Sequence, residues 1–102
     1  MQEVPALNTL ENAEVYEPEF SNPTSVPINE LRGKLLILSK NYYFDQARTV
    51  PETVNELRER GWIASPLDVS KTLSKMAFNK ELLKNKQGKR SYYFVKEALL
   101  AN

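Results

Sequence analysis

The stretch Thr49–Phe78, TVPETVNELRERGWIASPLDVSKTLSKMAF, decides how this chain of 102 residues folds. It contains two apolar stripes with helical spacing: Val50, Val54 and Leu57, then Val69, Leu73 and Met76. Gly61 lies between the stripes and suits a residue that ends a helix in the left-handed conformation. Trp62 and Ile63 follow it and are suited to fill the space between two helices. The stretch therefore predicts two short helices joined by a tight turn.

Both predicted helices begin with a capping sequence. Thr49-Val50-Pro51-Glu52 places a hydroxyl three residues before a glutamate, which is a capping box. Ser65-Pro66-Leu67-Asp68 repeats the pattern with aspartate in place of glutamate. Each sequence also has a proline in the first turn, where proline is tolerated. The helices are therefore predicted to begin after Thr49 and after Ser65, and the second to extend over residues 66–78.

A basic hairpin is predicted over residues 82–95. Its first half is polar, Gln87-Gly88 is the predicted turn, and its second half is an aromatic run that alternates sides. Four cations cluster at its tip: Lys84, Lys86, Lys89 and Arg90. Lysines also protect ordinary edge strands, so a solvated hairpin without a ligand is the alternative interpretation.

The face of helix 66–78 opposite its apolar stripe is predicted to be a binding surface. This face carries lysines and short polar residues: Leu67, Asp68, Lys71, Thr72 and Lys75. A helix that enters the major groove needs such a surface, with cations for phosphates and short polar groups for base edges.

An earlier helix is predicted from Ile28 to about Tyr42. Its apolar residues follow a helical spacing: Ile28, Leu31, Leu35, Leu38 and Tyr42. Pro27 suits a first helical position. Gly33 weakens the helix by about 1 kcal/mol relative to alanine.

The overall net charge of +1 conceals an asymmetry. Residues 1–27 contain five glutamates and neither lysine nor arginine, whereas residues 28–102 contain 14 basic and 8 acidic residues. Four prolines and the lack of a sustained apolar period predict that residues 1–27 form a disordered acidic arm. The arm is interpreted as a plain tail or linker, and the alternative is that it covers the basic face or competes with DNA for it.

Composition argues against an enzyme. The chain has no cysteine and no histidine, so it lacks thiolate ligands and the commonest general base near neutral pH. No catalytic residues, metal or cofactor are predicted. No apolar run approaches the roughly 20 residues that span a bilayer, so no membrane association is expected and the predicted location is the cytoplasm.

Helix, turn, helix and basic hairpin together resemble the winged helix-turn-helix superfamily, particularly small prokaryotic and archaeal members. The matching segments are residues 49–57 for the positioning helix, 61–62 for the turn, 65–73 for the recognition helix and 88–94 for the second wing strand. The resemblance implies an α+β, mainly α fold over residues 28–102, with three helices and a C-terminal two-stranded wing. It also implies a very short strand near Ala47–Thr49 that pairs with the wing.

The function that this resemblance implies is double-stranded DNA binding, as a transcriptional regulator. Helix 66–78 would enter the major groove and hairpin 82–95 would be the wing. Base-edge contacts are implied for Leu67, Asp68, Lys71, Thr72 and Lys75. Phosphate contacts are implied for Ser65, Lys84, Lys86, Lys89 and Arg90, with Gln87 beside them at the tip. Asp68 departs from this pattern because a carboxylate repels phosphates; it would cap the helix with Ser65 or accept from a cytosine amino group.

Two other binding functions stay open. Winged helices also serve as protein–protein modules within larger assemblies, which here would use Leu99, Leu100 and exposed aromatic residues. RNA or single-stranded binding would use Tyr92 and Tyr93 as stacking platforms. A DNA regulator would gain specificity as a homodimer, through the first helix or through Leu99 and Leu100.

Overall fold

The computed structural model describes residues 23–100, without the side chains of Leu99 and Leu100. In chain order the elements are β1 (Thr24–Ser25), α1 (Ile28–Lys40), a 3-10 turn (Tyr43–Asp45), α2 (Val50–Glu59), β2 (Trp62–Ile63), α3 (Pro66–Phe78), β3 (Leu83–Gln87), β4 (Arg90–Phe94) and α4 (Lys96–Leu100). This part of the chain is α+β and mainly helical, as predicted.

The caps of α2 and α3 follow their sequence signals. Thr49 and Glu52 form both halves of a capping box, with the Thr49 N–H donating to Glu52 Oε1 at 2.9 Å. Ser65 Oγ accepts the Asp68 N–H at 3.1 Å. Gly61 follows α2 with a φ of 85°, a left-handed conformation that glycine adopts without a steric cost. The predicted starts of both helices, and the predicted end of α3, are confirmed.

The core lies where α1, α2 and α3 meet and extends under the hairpin. Helix α3 contributes its predicted stripe, α1 contributes Leu31, Leu35 and Leu38 of its predicted stripe, and α2 contributes Leu57 with Val54. Phe44 enters this core from the 3-10 turn, and Tyr93 enters it from β4. Both aromatic side chains are 0–1% exposed, so they connect the helices to the hairpin.

Helix α1 is shorter than predicted at its C-terminal end. It ends at Lys40, where the Asn41 N–H bonds back to Ile37 and Leu38 carbonyls. Tyr42 then adopts a left-handed φ of 68° and is 75% exposed, so its predicted place on the apolar stripe is wrong. The physical reason is that the chain turns there and buries Phe44 instead.

The start of α1 also differs from the prediction. Pro27 is the N-cap residue rather than the first helical residue. Ile28, predicted as the first residue of the stripe, is 47% exposed. Its position at the helix end explains this, because only one side of it faces α3.

The folded part begins before the boundary predicted at residue 27. Strand β1 is parallel to β2, and the N–H groups of Thr24 and Val26 donate to the Gly61 and Ile63 carbonyls at 2.8 and 2.9 Å. Val26 is buried in the core. Residues 23–27 therefore belong with the helices, while residues 1–22 of the predicted arm lie outside the described residues.

Strands β3 and β4 form the predicted hairpin with a turn displaced by one residue. Gln87 pairs with Arg90, so the turn is Gly88-Lys89 rather than Gln87-Gly88. Gly88 has a φ of 62° at the first central position, where two-residue hairpin turns favour glycine. The predicted strand near Ala47–Thr49 is a single bridge, in which Arg48 and Tyr93 exchange two backbone hydrogen bonds of 2.8 and 2.9 Å.

Candidate nucleic-acid interface

One stripe of α3 faces solvent along the whole helix. It consists of Leu67, Lys71, Lys75 and Phe78, and we call it the outer stripe. Leu67 is 63% exposed and Phe78 is 85% exposed. Three of these residues were predicted as site residues from the sequence. Phe78 was not, although it lies eleven residues after Leu67 and so, at 100° per residue, returns to almost the same direction.

Two predicted site residues lie on the flank of α3 that faces α1. Thr72 is only 8% exposed, and its hydroxyl donates to the Asp68 carbonyl at 2.8 Å. The prediction that Thr72 lies on the outer face is therefore wrong. The reason is tertiary, because the start of α1 packs on this side and Thr72 lines a groove there with Ile28. Asp68 is half-buried on the same flank.

The opposite flank of α3 faces the hairpin and carries two short hydroxyl side chains that the sequence interpretation missed. Ser70 and Ser74 line a groove with a volume of ≈ 460 Å³ between α3, the N-terminus of α2 and the hairpin. Ser74 Oγ lies 3.2 Å from Tyr93 Oη, across the groove floor. A sequence signal existed, since both serines lie next to the buried stripe at helical spacing, but it did not show which neighbour would cover them.

Cations of the hairpin line the other wall of this groove. They are Lys84, Lys89 and Arg90, and all three are exposed. Lys86 and Gln87 are exposed next to the turn and do not line the groove. Because side chains alternate along a strand, Lys86 is on the same side of β3 as Lys84, and Gln87 is on the other side.

Two acidic groups near the groove and the outer stripe, Glu52 and Glu81, are already engaged. Glu52 lines the groove, but its carboxylate accepts the Thr49 N–H in the α2 cap. Glu81, the one acid between Lys71 and Lys96, pairs with Arg32 of α1, whose Nε donates to Glu81 Oε1 at 3.0 Å. This hydrogen bond lowers the pKa of Glu81 and raises that of Arg32.

The basic side chains of the interface lack such partners. Across residues 23–100, the ion pairs are Arg32–Glu81 and Arg60–Glu56, and neither involves the outer stripe or the hairpin. Five cations of the outer stripe and of the groove wall face solvent and take part in neither ion pair: Lys71, Lys75, Lys84, Lys89 and Arg90. A surface of one sign attracts ligands of the other, so this surface suits a polyanion.

Arg48 and Tyr93 hold the hairpin in place beside α3. Arg48 forms the backbone bridge to Tyr93, and its Nε donates to the Tyr43 carbonyl at 2.8 Å. Its guanidinium also lies 4.3 Å from the centroid of the Tyr43 ring. Tyr93 is 1% exposed, so it cannot stack on bases while the hairpin is folded. Tyr92 is half-buried, and this weakens the single-strand hypothesis.

Comparisons of the chain with protein-family models, with curated proteins and with solved structures found no match. None of the helices within residues 23–100 is long and apolar enough to cross a membrane. The side chains of Leu99 and Leu100, predicted as an interface, lie outside the described residues. The geometry of the outer stripe and of the hairpin groove therefore carries the functional argument.

Proposed function

We propose that this protein binds double-stranded DNA, as a transcriptional regulator with a winged helix-turn-helix domain. Helix α3 would lie in the major groove, and the β3–β4 hairpin would be the wing. One observation carries the proposal: exposed cations of the hairpin line a groove against Ser70 and Ser74 of α3, and the exposed Lys71 and Lys75 of the same helix take part in neither ion pair of the described residues.

The dimensions of α3 suit this role. Its 13 residues span about 20 Å, and an α-helix with its side chains is about 10–12 Å wide, which matches the width of the major groove. With the outer stripe inserted, Lys71 and Lys75 reach phosphates or guanine edges. Helix α2 packs behind α3 through Val54 and Leu57 and so fixes its orientation.

The hairpin adds contacts to the sugar–phosphate backbone. Lys84, Lys89 and Arg90 form one wall of the groove, and Ser70 and Ser74 form part of the other. Cations and hydroxyls are the side chains that hold phosphate oxygens in protein–DNA complexes. If the five cations of the outer stripe and of the groove wall neutralise phosphates, log affinity should fall against log salt with a slope of about −4.5, at about 0.9 per phosphate.

The test is a titration of random-sequence duplex DNA at about 50 and 200 mM salt. Wild type is compared with Lys89→Glu/Arg90→Glu in the hairpin and with Arg58→Glu/Arg60→Glu on the exposed side of α2. The two variants change the net charge equally. We expect the hairpin variant to lose on the order of 100-fold in affinity and the slope to fall by about 2, one unit per lost contact. The α2 variant should bind within a few-fold of wild type.

Absence of binding at low salt, or binding that salt does not weaken, would overturn the proposal. Equal losses in both variants would show that net charge, and not the hairpin, sets the affinity.

A protein partner is the second candidate, and the exposure of Phe78 favours it. A large aromatic side chain open to solvent is typical of interface anchors. In that case a complex with the partner should survive charge reversal of Lys71, Lys75, Lys89 and Arg90, and DNA binding should be absent.

A further inference from the structure

We infer that the outer stripe recognises thymine, with Leu67 and Phe78 in contact with C5-methyl groups in the major groove. The inference rests on the proposed DNA binding and specifies its target: duplexes with thymines placed to meet both ends of α3. It follows from the chemistry of the side chains on the outer stripe, which differ from the polar side chains that face α1 and the hairpin.

The two apolar residues are aligned along the helix. Leu67 and Phe78 are eleven residues apart, so their directions differ by about 20° and their separation along the axis is about 16 Å. They are 63% and 85% exposed. This separation corresponds to roughly five base-pair steps of about 3.4 Å, so both side chains fit one recognition site.

The hydroxyl side chains of α3 do not lie on the outer stripe. Thr72 is buried and its hydroxyl donates to the Asp68 carbonyl. Ser70 and Ser74 line the groove toward the hairpin. The stripe therefore presents two lysines, which bind phosphates or guanine, and two apolar side chains. In the major groove, the apolar feature that distinguishes one base from another is the thymine methyl group.

The lysines between the apolar residues favour DNA over a protein as the occupant. Lys71 and Lys75 separate Leu67 from Phe78 and take part in neither ion pair of the described chain. A protein surface that covered both apolar residues would have to desolvate these two charges. A duplex offers methyl groups at the groove floor and phosphates at its edges, which satisfies both chemistries together.

The experiment compares a short alternating A·T duplex with the same duplex containing deoxyuridine, which lacks the C5-methyl group of thymidine. Wild type should bind the thymidine duplex more tightly by on the order of tenfold, since each buried methyl contributes about fourfold. Leu67→Ala/Phe78→Ala should bind the two duplexes equally. The control Ile37→Ala/Tyr42→Ala removes two apolar side chains that are 40% and 75% exposed outside α3 and should keep the preference.

The outcomes separate this inference from the proposed function. Salt-sensitive binding of wild type without a preference for thymidine would overturn the thymine assignment and leave DNA binding intact. A preference that persists in the Leu67→Ala/Phe78→Ala variant would show that other residues recognise the methyl groups, and would also overturn it. No binding to either duplex would overturn the proposed function itself and direct the search to a protein partner for the outer stripe. Unfolding midpoints matched to wild type would show that the variant is folded.

Discussion

Helices α2 and α3 begin in the same way and differ in what they expose. Each starts at a hydroxyl cap with a proline in its first turn, and each buries a leucine completely, Leu57 in α2 and Leu73 in α3. The exposed side of α2 alternates glutamate with arginine, and there Arg60 Nε pairs with Glu56 Oε2 at 3.2 Å. The outer stripe of α3 carries lysine and apolar residues alone.

The proposed DNA binding would use this difference between the two helices. Glu56 of α2 is paired with Arg60, the residue that caps the helix, at the i,i+4 spacing that stabilises an isolated helix. Lys71 and Lys75 of α3 take part in neither ion pair of the described residues, so they are available to pair with a ligand. The two helices therefore share the fold-determining features, and the proposed ligand contacts distinguish them.

Truncation of a buried leucine should destabilise the fold to a similar extent in either helix, and this is the largest expected effect. Leu57→Ala and Leu73→Ala should each lower the free energy of unfolding by about 2–5 kcal/mol, because each removes a fully buried side chain and leaves a cavity. Urea denaturation measures both. A loss below about 1 kcal/mol at either residue would show that its helix does not share the common core.

Charge reversal on the exposed face should lower DNA affinity in α3 but not in α2. Lys71→Glu/Lys75→Glu should weaken duplex binding by on the order of 100-fold, because two cations that are proposed to contact phosphates become anions. Arg58→Glu/Arg60→Glu carries the same change of charge on α2 and should have little effect. Fluorescence anisotropy with one duplex at one salt concentration compares them directly. If the α2 variant loses as much affinity as the α3 variant, the distinction between the two helices fails.

Loss of the hydroxyl cap of α2 or α3 should have a smaller effect than the core and charge variants. Thr49 is 6% exposed and forms a full capping box, whereas Ser65 is exposed and accepts one bond from the Asp68 N–H. Thr49→Ala should cost about 1–2 kcal/mol and Ser65→Ala about 0.5–1 kcal/mol. Thermal unfolding of the two variants gives the comparison, and a larger loss at Ser65 would contradict it.

The smallest expected effect concerns the ion pairs that glutamates form in and near the two helices. Glu56 of α2 pairs with Arg60 four residues later. Glu81, which follows α3, pairs with Arg32 of α1. Arg32 lowers the pKa of Glu81 below its ordinary value of 4.5, so the pair stabilises the fold above about pH 4.5 and this contribution is lost as pH falls through the lowered pKa. Arg32→Gln should therefore be slightly less stable than wild type at pH 7.

The pH dependence of the stability difference provides the control for this prediction. The difference in unfolding free energy between Arg32→Gln and wild type should vanish in acid, where Glu81 is protonated in both. A difference that is the same at pH 7 and in acid would mean that Arg32 stabilises the fold by packing and not by its charge.

Local rules in the sequence predicted the parts of this fold that depend on neighbouring residues. The capping residues of α2 and α3, the left-handed Gly61 and the buried stripes were all predicted because caps and helical periodicity act over three or four residues. The hairpin was predicted for the same reason, with its turn displaced by one residue. The composition and order of these segments also predicted an α+β, mainly helical fold.

The exposed surface of α3 was predicted in part. Lys71, Lys75 and Leu67 were placed on the exposed side of α3 because they lie opposite its apolar stripe. Thr72 directly follows Lys71, so its side chain points about 100° further around the helix. Whether that side chain is exposed or buried depends on where α1 packs. Ser70 and Ser74 likewise border the groove because the hairpin folds back on that flank.

By itself, the sequence determined the positions of the three main helices, the caps of α2 and α3, the hairpin and the excess of positive charge in residues 28–102, since each depends on contacts within a few residues or on composition. Only the tertiary structure decided that Phe44 and not Tyr42 enters the core, that β1 pairs with β2, and that Thr72 faces α1 while Phe78 faces solvent. These outcomes depend on contacts between segments far apart in the chain. No local pattern encodes such contacts, because they form only when the helices pack together.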